Sequence, residues 1–195
     1  MIRIMLIDDH AAVRAGLETV LQAEADLVAV ASTDGSEDLW PRFHQTRPDL
    51  VLLDFHLPGE NSLVMCRRLK AVLPQPKVVF YSAYADASLG VPLRLAGADG
   101  LVSKGAPATE LFEVIRTIAA GERVLPPLTP DLIEATCRPL SEDDRVLTGV
   151  LLDGATVTDV GEVLGSDADA ARVRIDRLLG RVVPKDPRAP TAPRR

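Results

Sequence analysis

Two hydrophobic periods alternate along this chain, and the switch between them lays out its architecture. Ile2–Ile7 is apolar except at Arg3 and reads as a buried strand. The next stretch carries Val13, Leu17, Val20 and Leu21 at helical spacing. Leu27–Ala31 predicts a second strand, and Ser36 to about Thr46 a second helix with Ser36 as its N-cap. Leu50–Leu53 is a third strand ending at Asp54. The helix expected over Asn61–Leu73 turns Leu63, Val64, Leu69 and Val72 inward and stops at Pro74. Val78–Tyr81 is the fourth strand. Pro92 then falls inside a helical pattern, so that helix is expected to begin near Val91 with Pro92 in its first turn, leaving Ala85–Gly90 as loop. Gly100–Val102 is a short fifth strand. Pro107–Ala120 aligns Leu111, Val114, Ile115 and Ile118 on one helix face, with Gly121 as the stop.

Strict strand–helix alternation predicts an α/β fold: a doubly wound five-stranded parallel sheet covered by helices on both faces. After it the pattern changes. Pro126, Pro127, Pro130 and Pro139 mark a linker over 122–139, with a short helix from Thr129-Pro130-Asp131 to about Cys137. Residues 140–183 carry only the helical period, over Glu142–Leu152, Thr156–Leu164 and Ala168–Val182. The last twelve residues hold four prolines and are expected to be disordered. The predicted organisation is thus an α/β domain over 1–121, the linker, a small all-α domain over 140–183 and a tail over 184–195.

Composition narrows the class. Of 195 residues 47% are hydrophobic and 26% charged, as in a soluble globular protein. No apolar run approaches the roughly 18 residues of a membrane span. Ile2–Ile7 meets Asp8 and Asp9 at once, which no signal-peptide core does. Cys66 and Cys137 are too few for a disulfide framework and lack metal-site spacing, so free thiols in the cytoplasm are expected. The net charge of −6 is unevenly spread: 140–183 is −4, whereas the tail 184–195 is +3.

Ligands of doubly wound sheets sit beyond the carboxyl ends of the strands. Asp8 and Asp9 follow the first strand, Asp54 the third and Ser82 the fourth, and Lys104 lies just past the fifth. Three carboxylates converging there repel one another, and burial raises the cost of keeping them ionised. A hard divalent cation removes that penalty, and carboxylate oxygens with water suit octahedral Mg²⁺. Such a set matches the needs of phosphoryl transfer, namely a carboxylate nucleophile, a metal and donors for the remaining oxygens. Asp54, between apolar neighbours at a strand end, is the expected nucleophile. Asp9 is expected to bind the metal directly, Asp8 through water, and His56 through its backbone carbonyl. The His56 side chain is read as solvated, and Trp40 and Phe43 as packing residues.

Residues 1–120 resemble the receiver domain of bacterial two-component response regulators. The resemblance is carried by Leu6-Ile7-Asp8-Asp9-His10, by Asp49–Asp54 with Leu57-Pro58-Gly59 after it, by Tyr81-Ser82-Ala83, and by Ala96–Gly100 running to Lys104. The Asp-Asp-His start favours the NarL/FixJ subfamily and implies a flavodoxin-like sheet. It also implies that Asp54 accepts a phosphoryl group from a sensor histidine kinase, that Ser82 hydrogen-bonds the phosphate, and that Lys104 pairs with it. Where the family usually has Tyr or Phe three residues before the lysine, this chain has Leu101.

Leu140–Val182 resembles the LuxR-type helix-turn-helix of the same subfamily. Leu140-Ser141 stands at the usual Leu-Thr, Gly154 closes the first helix, Asp159-Val160-Gly161 lies in the second, Leu164-Gly165 forms the turn and Asp167 caps the third. In a helix-turn-helix the third element enters the major groove. The resemblance therefore implies promoter-DNA contacts from Arg172, Val173, Arg177 and Arg181. The family's fourth helix is not evident before the proline-rich tail, and Ala168, Asp169 and Ala170 offer little to a base edge. The expected function is a cytoplasmic, non-enzymatic transcription regulator that forms a homodimer through the receiver and touches no membrane. The alternative is a receiver whose degenerate output domain acts through protein–protein interaction, possible without phosphorylation. A phosphatase-like hydrolase ranks last, since no second carboxylate is placed as a general acid.

Overall fold

The computed structural model describes residues 1–183; the expectations of a disordered tail over 184–195 and of a missing fourth helix lie outside the described residues. Strand β1 (Ile2–Ile7) leads to helix α1 (Ala11–Leu21), β2 (Leu27–Thr33), α2 (Leu39–Thr46), β3 (Leu50–Asp54), α3 (Ser62–Lys70), β4 (Lys77–Ser82), α4 (Gly90–Ala96), β5 (Gly100–Ser103) and α5 (Ala108–Ala119). Four further helices follow: α6 (Pro130–Cys137), α7 (Glu142–Leu152), α8 (Val157–Leu164) and α9 (Ala168–Val182). The strands form one parallel sheet in the order β2-β1-β3-β4-β5.

Side chains alternate across each strand, so the sheet splits its apolar residues between two faces. Ile4, Leu6, Leu50, Leu52, Val79 and Val102 pack on one face with Leu17 and Leu21 of α1 and Leu111, Phe112, Ile115 and Ile118 of α5. Met5, Ile7, Val51, Leu53, Val78 and Phe80 pack on the other with residues of α2, α3 and α4. That second core runs on without interruption into Leu147, Leu151, Val160, Ile175, Leu178 and Val182 of the C-terminal helices. The two halves of the chain therefore share one apolar core, with α9 against α3 and α4, and α7 against α4.

Three local expectations change. Ser36 does not cap α2, which begins at Leu39 after Asp38. The Ser36 hydroxyl is engaged by the Asp38 carboxylate, which also accepts from Thr33 at 2.6 Å, while the Ser36 carbonyl accepts from the Leu39 N–H. The 33–38 segment thus makes its own turn and delays the helix. Helix α3 ends at Lys70 rather than Leu73, capped at its start by Asn61, whose side chain accepts from the Leu63 N–H. The expected loop over 85–90 contains a single 3-10 turn, Ala87–Leu89, capped by Asp86. Pro92 stands in the first turn of α4, where its missing N–H costs nothing.

The linker is tied down near its start. Val124 forms a parallel bridge beside β5, and its carbonyl accepts from the Leu101 N–H at 2.9 Å. Arg94 of α4 donates to the Pro126 carbonyl at 2.6 Å. In the C-terminal helices Thr156 and Asp159 form a reciprocal capping box at the start of α8, and Asp167 caps α9. A Cβ on Gly161 would approach the Ser166 carbonyl oxygen to 3.0 Å, so this glycine lets the turn between α8 and α9 close tightly. Ile175 is fully buried where α9 meets the shared core. Ile175→Ala is expected to destabilise this half by about 2–5 kcal/mol, read as a lower midpoint in chemical denaturation followed by helical circular dichroism.

Candidate phosphoacceptor site

Parallel register brings the predicted residues to one edge of the sheet. Ile7 pairs with Leu53, so Asp8 and Asp54 leave neighbouring strands side by side; Ser82 pairs with Ser103, which sets Lys104 beside them. Asp8, Asp54 and Ser82 are buried, whereas Asp9 is exposed. Lys104 Nζ lies 2.8 Å from Asp54 Oδ2 and 2.5 Å from Asp8 Oδ2. Its backbone N–H donates to the Ser82 carbonyl at 2.8 Å, locking the lysine to the end of β4. The lysine also lies 6.0 Å from the centroid of the Tyr81 ring.

The electrostatics follow from this packing. Burial raises the Asp54 carboxyl above its ordinary value, and the neighbouring Asp8 charge adds to the rise, while the hydrogen bond and charge of Lys104 oppose it. For Lys104 burial works against the charged form, but the hydrogen bonds and charges of Asp54 and Asp8 outweigh it, and the net shift is upward. Burial likewise raises the Tyr81 hydroxyl. One lysine thus faces two buried carboxylates, with a third carboxylate at the rim.

Single ligand atoms of Asp8, Asp9, His10 and Asp54 all lie within 4.8 Å of one another. The oxygen-rich donor set and its excess of negative charge fit a hard divalent cation. His10 was not among the residues that sequence patterns singled out for chemistry. It caps α1 by position rather than by a side-chain bond, and its Nδ1 instead reaches Asp9 Oδ1 at 2.6 Å and Asp8 Oδ1 at 3.3 Å. Its signal was present only as the third letter of the Asp-Asp-His run.

The remaining predicted residues are placed as follows. The His56 backbone N–H donates to Asp54 Oδ1 at 3.3 Å, and its ring stands edge-on to Tyr84, centroids 6.0 Å apart. The Ser82 hydroxyl accepts from the Tyr84 N–H at 3.1 Å. Trp40 and Phe43 pack edge to face, as packing residues do. Leu101 is half-buried against the core on β5.

On α9, Arg172, Val173 and Arg177 are exposed, and Arg172 pairs with Asp169 one turn away at 2.8 Å. Arg181 is engaged within the fold, bonded to the buried Asp144 of α7, while Arg174 reaches Asp143 at 3.2 Å. Asp176 is half-buried on the flank of α9 that meets the α/β half. Desolvation raises its carboxyl, against the opposing charges of Arg68, Arg67 and Arg172.

Three comparisons with known proteins place these observations. The response regulator receiver domain family matches residues 4–116. The DNA-binding transcriptional activator DevR/DosR of Mycobacterium tuberculosis is 28% identical over 192 residues, covering 93% of this chain and 88% of that protein. The response regulator GacA of Pseudomonas viridiflava is 34% identical over 127 residues, 65% of this chain and 59% of its own length. Among solved structures, a LuxR-family two-component response regulator from Aurantimonas sp. SI85-9A1 superposes with a TM-score of 0.60 at 27% identity, covering 69% of this chain and 94% of that one.

Proposed function

Because the chain belongs to the response regulator receiver family, we propose that it is a phosphorylation-controlled transcription regulator whose phosphoacceptor is Asp54. The observation that carries this reading is the buried pair Asp8 and Asp54 sharing the Lys104 ammonium beside the rim carboxylate Asp9. Asp54 Oδ1 and Oδ2 are the nucleophilic atoms. Lys104 orients Asp54 and is placed to pair with the charge that the carboxylate gains. The buried Ser82 hydroxyl, at the end of the neighbouring strand, supplies a further hydrogen-bond donor. Asp8, Asp9, Asp54 and the His56 carbonyl would hold Mg²⁺, which when bound neutralises phosphoryl oxygens during transfer. A sensor histidine kinase is the proposed phosphodonor in the cell, and a second copy of the receiver the proposed dimer partner. Among the described residues no helix is long and apolar enough to cross a membrane.

We assign the output to α7–α9, with α9 as the DNA-reading helix and promoter DNA as the partner. Arg172, Val173 and Arg177 on its exposed side are the contacts, supported by the similarity to DevR/DosR over nearly the whole chain. Arg181 is exposed on the same helix and is the fourth proposed contact, although its guanidinium also closes on Asp144 and ties α9 to α7. Arg177→Ala is expected to weaken DNA binding across sequences and to reduce the salt slope by about one. Arg181→Ala should in addition lower the thermal midpoint, because the bond that ties α9 to Asp144 of α7 is lost. The test is selection of bound sequences from random DNA, with and without phosphodonor, followed by salt titration of the selected site. Enrichment that grows with phosphodonor is expected; absence of enrichment in both conditions would favour the protein-interaction alternative, which the −4 charge of 140–183 supports.

A further inference from the structure

Asp169, Arg172 and Val173 stand at positions i, i+3 and i+4 of α9, so they share one side of the helix, and all three are exposed. Ala171, Ile175, Leu178, Leu179 and Val182 are buried on the side turned to the core. Val173 stands apart from the other large aliphatic residues of α9: it is 48% exposed, whereas Ile175, Leu178 and Leu179 are fully buried. Next to it, Arg172 Nη1 donates to Asp169 Oδ1 at 2.8 Å. All three residues lie in the first two turns of α9, the part of a recognition helix that meets base edges, while Arg177 lies further along.

We infer that Arg172 reads a guanine, that Val173 reads a neighbouring thymine, and that Asp169 is a positioning residue for Arg172. The inference rests on the assignment of α9 to DNA reading and adds the base pattern of the site. Asp169 alone would repel DNA, but its charge is balanced by the arginine it holds. A free arginine loses much rotamer freedom on binding, and the Asp169 bond takes part of that loss before DNA arrives. The bond engages Nη1, which leaves Nη2 and Nε to donate in parallel to guanine O6 and N7. Adenine and cytosine present an amino donor in the major groove, which sets donor against donor. The Val173 methyl groups have no polar atom to offer, and the major-groove feature that suits them is the thymine C5-methyl.

The test uses the full chain and the duplexes it selects from random DNA with phosphodonor present. The selected sites are expected to share a guanine with a thymine close by. Replacing that guanine by an analogue with carbon in place of N7 should weaken the wild type about fivefold to tenfold, and should not affect Arg172→Ala. Replacing the thymine by uracil, which lacks the methyl group, should weaken the wild type about threefold to fourfold and should not affect Val173→Ala. Asp169→Ala should bind random DNA more tightly, since a negative charge is gone, yet lose most of its sensitivity to the guanine analogue; Asp169→Glu should restore it. An Asp169→Ala protein with undiminished sensitivity overturns the positioning role. Variants of Arg172 and Val173 that keep the wild-type sensitivities overturn the base assignments while leaving α9 on DNA. Absence of any selected sequence removes the DNA reading of α9 itself, and this inference with it.

Discussion

Asp54→Asn is expected to abolish phosphate incorporation from a small phosphodonor such as phosphoramidate, measured as the mass shift of the intact protein in MgCl₂. The amide keeps the size and hydrogen-bonding geometry of the carboxylate but removes the nucleophilic charge, so the fold should survive while the chemistry does not. Incorporation at the wild-type rate would move the acceptor elsewhere on the chain. Asp54→Asn should also leave the far-ultraviolet spectrum unchanged, because the ladder pairing of Asp54 with Tyr81 is made by the backbone and its side chain caps no helix, bonding only the His56 N–H and Lys104.

The second large effect concerns Lys104. Its ammonium lies between two carboxylates that are almost completely buried, with side chains 3% and 4% exposed for Asp8 and Asp54. Lys104→Met leaves these charges facing each other. In chelator near pH 7 the variant should lose about 3 kcal/mol, the scale on which removal of one member of a buried ion pair is felt. Added MgCl₂ should recover much of that loss, since a cation that binds only the folded state stabilises it by mass action. The pH dependence has a definite sign. The Asp54 carboxyl is raised above 3.8 in the folded protein, so its contribution favours folding most below that value and is lost as pH rises through the folded-state value. Without Lys104 the rise is larger, and the deficit of the variant should shrink toward about pH 4. Lys104 itself is raised above 10.5, so in the wild type its pairing persists through neutral pH and is lost only in strong alkali. Denaturant titrations of both proteins across this range measure the difference, and a pH-independent deficit would argue against the shared-ammonium arrangement.

How much of this could be read before any coordinates depends on the range of the interactions involved. The observed β1, β3 and β5 differ from the expected spans by at most one residue, because the central strands are buried and leave no polar alternation to mislead, whereas β2, half-buried over most of its length, runs on to Thr33 past its expected end at Ala31. Asp8, Asp54, Ser82 and Lys104 were legible for a related reason: a strand end fixes where the next side chain emerges, and parallel register does the rest. Thr129, Asp167 and the Thr156–Asp159 pair also announce their caps, since those bonds span only three residues. Ser36 misleads because Thr33 and Asp38 engage the local hydroxyls in a tighter turn, a competition among three side chains that a cap signature ignores. The docking of α9 onto α3 and α4 leaves no sequence period of its own. Ile175 and Leu178 read as an amphipathic face, but nothing in that face says that the core behind it continues to Val51 and Phe80. The same blindness hid the engagement of Arg181 by Asp144, 37 residues apart along the chain. It also hid the arrival of Val183 beside Asp9.

The shared core has a consequence for signalling. The helix assigned to DNA reading is packed on the half of the molecule that carries Asp54, and its half-buried Asp176 lies within the field of Arg67 and Arg68 on α3. Events at Asp54 therefore have a continuous packed route to α9 through α3, in addition to the β5–linker contact from Leu101 to Val124.

The most direct measurement is the position of the phosphoryl group. Wild-type protein treated with phosphoramidate in MgCl₂, and in parallel in excess chelator, is digested rapidly in acid-stable conditions and its peptides are weighed. The account predicts a single phosphoryl group on the peptide that contains Asp54, present with Mg²⁺ and lost with chelator. Equal labelling in chelator, or labelling confined to peptides that lack Asp54, would contradict it.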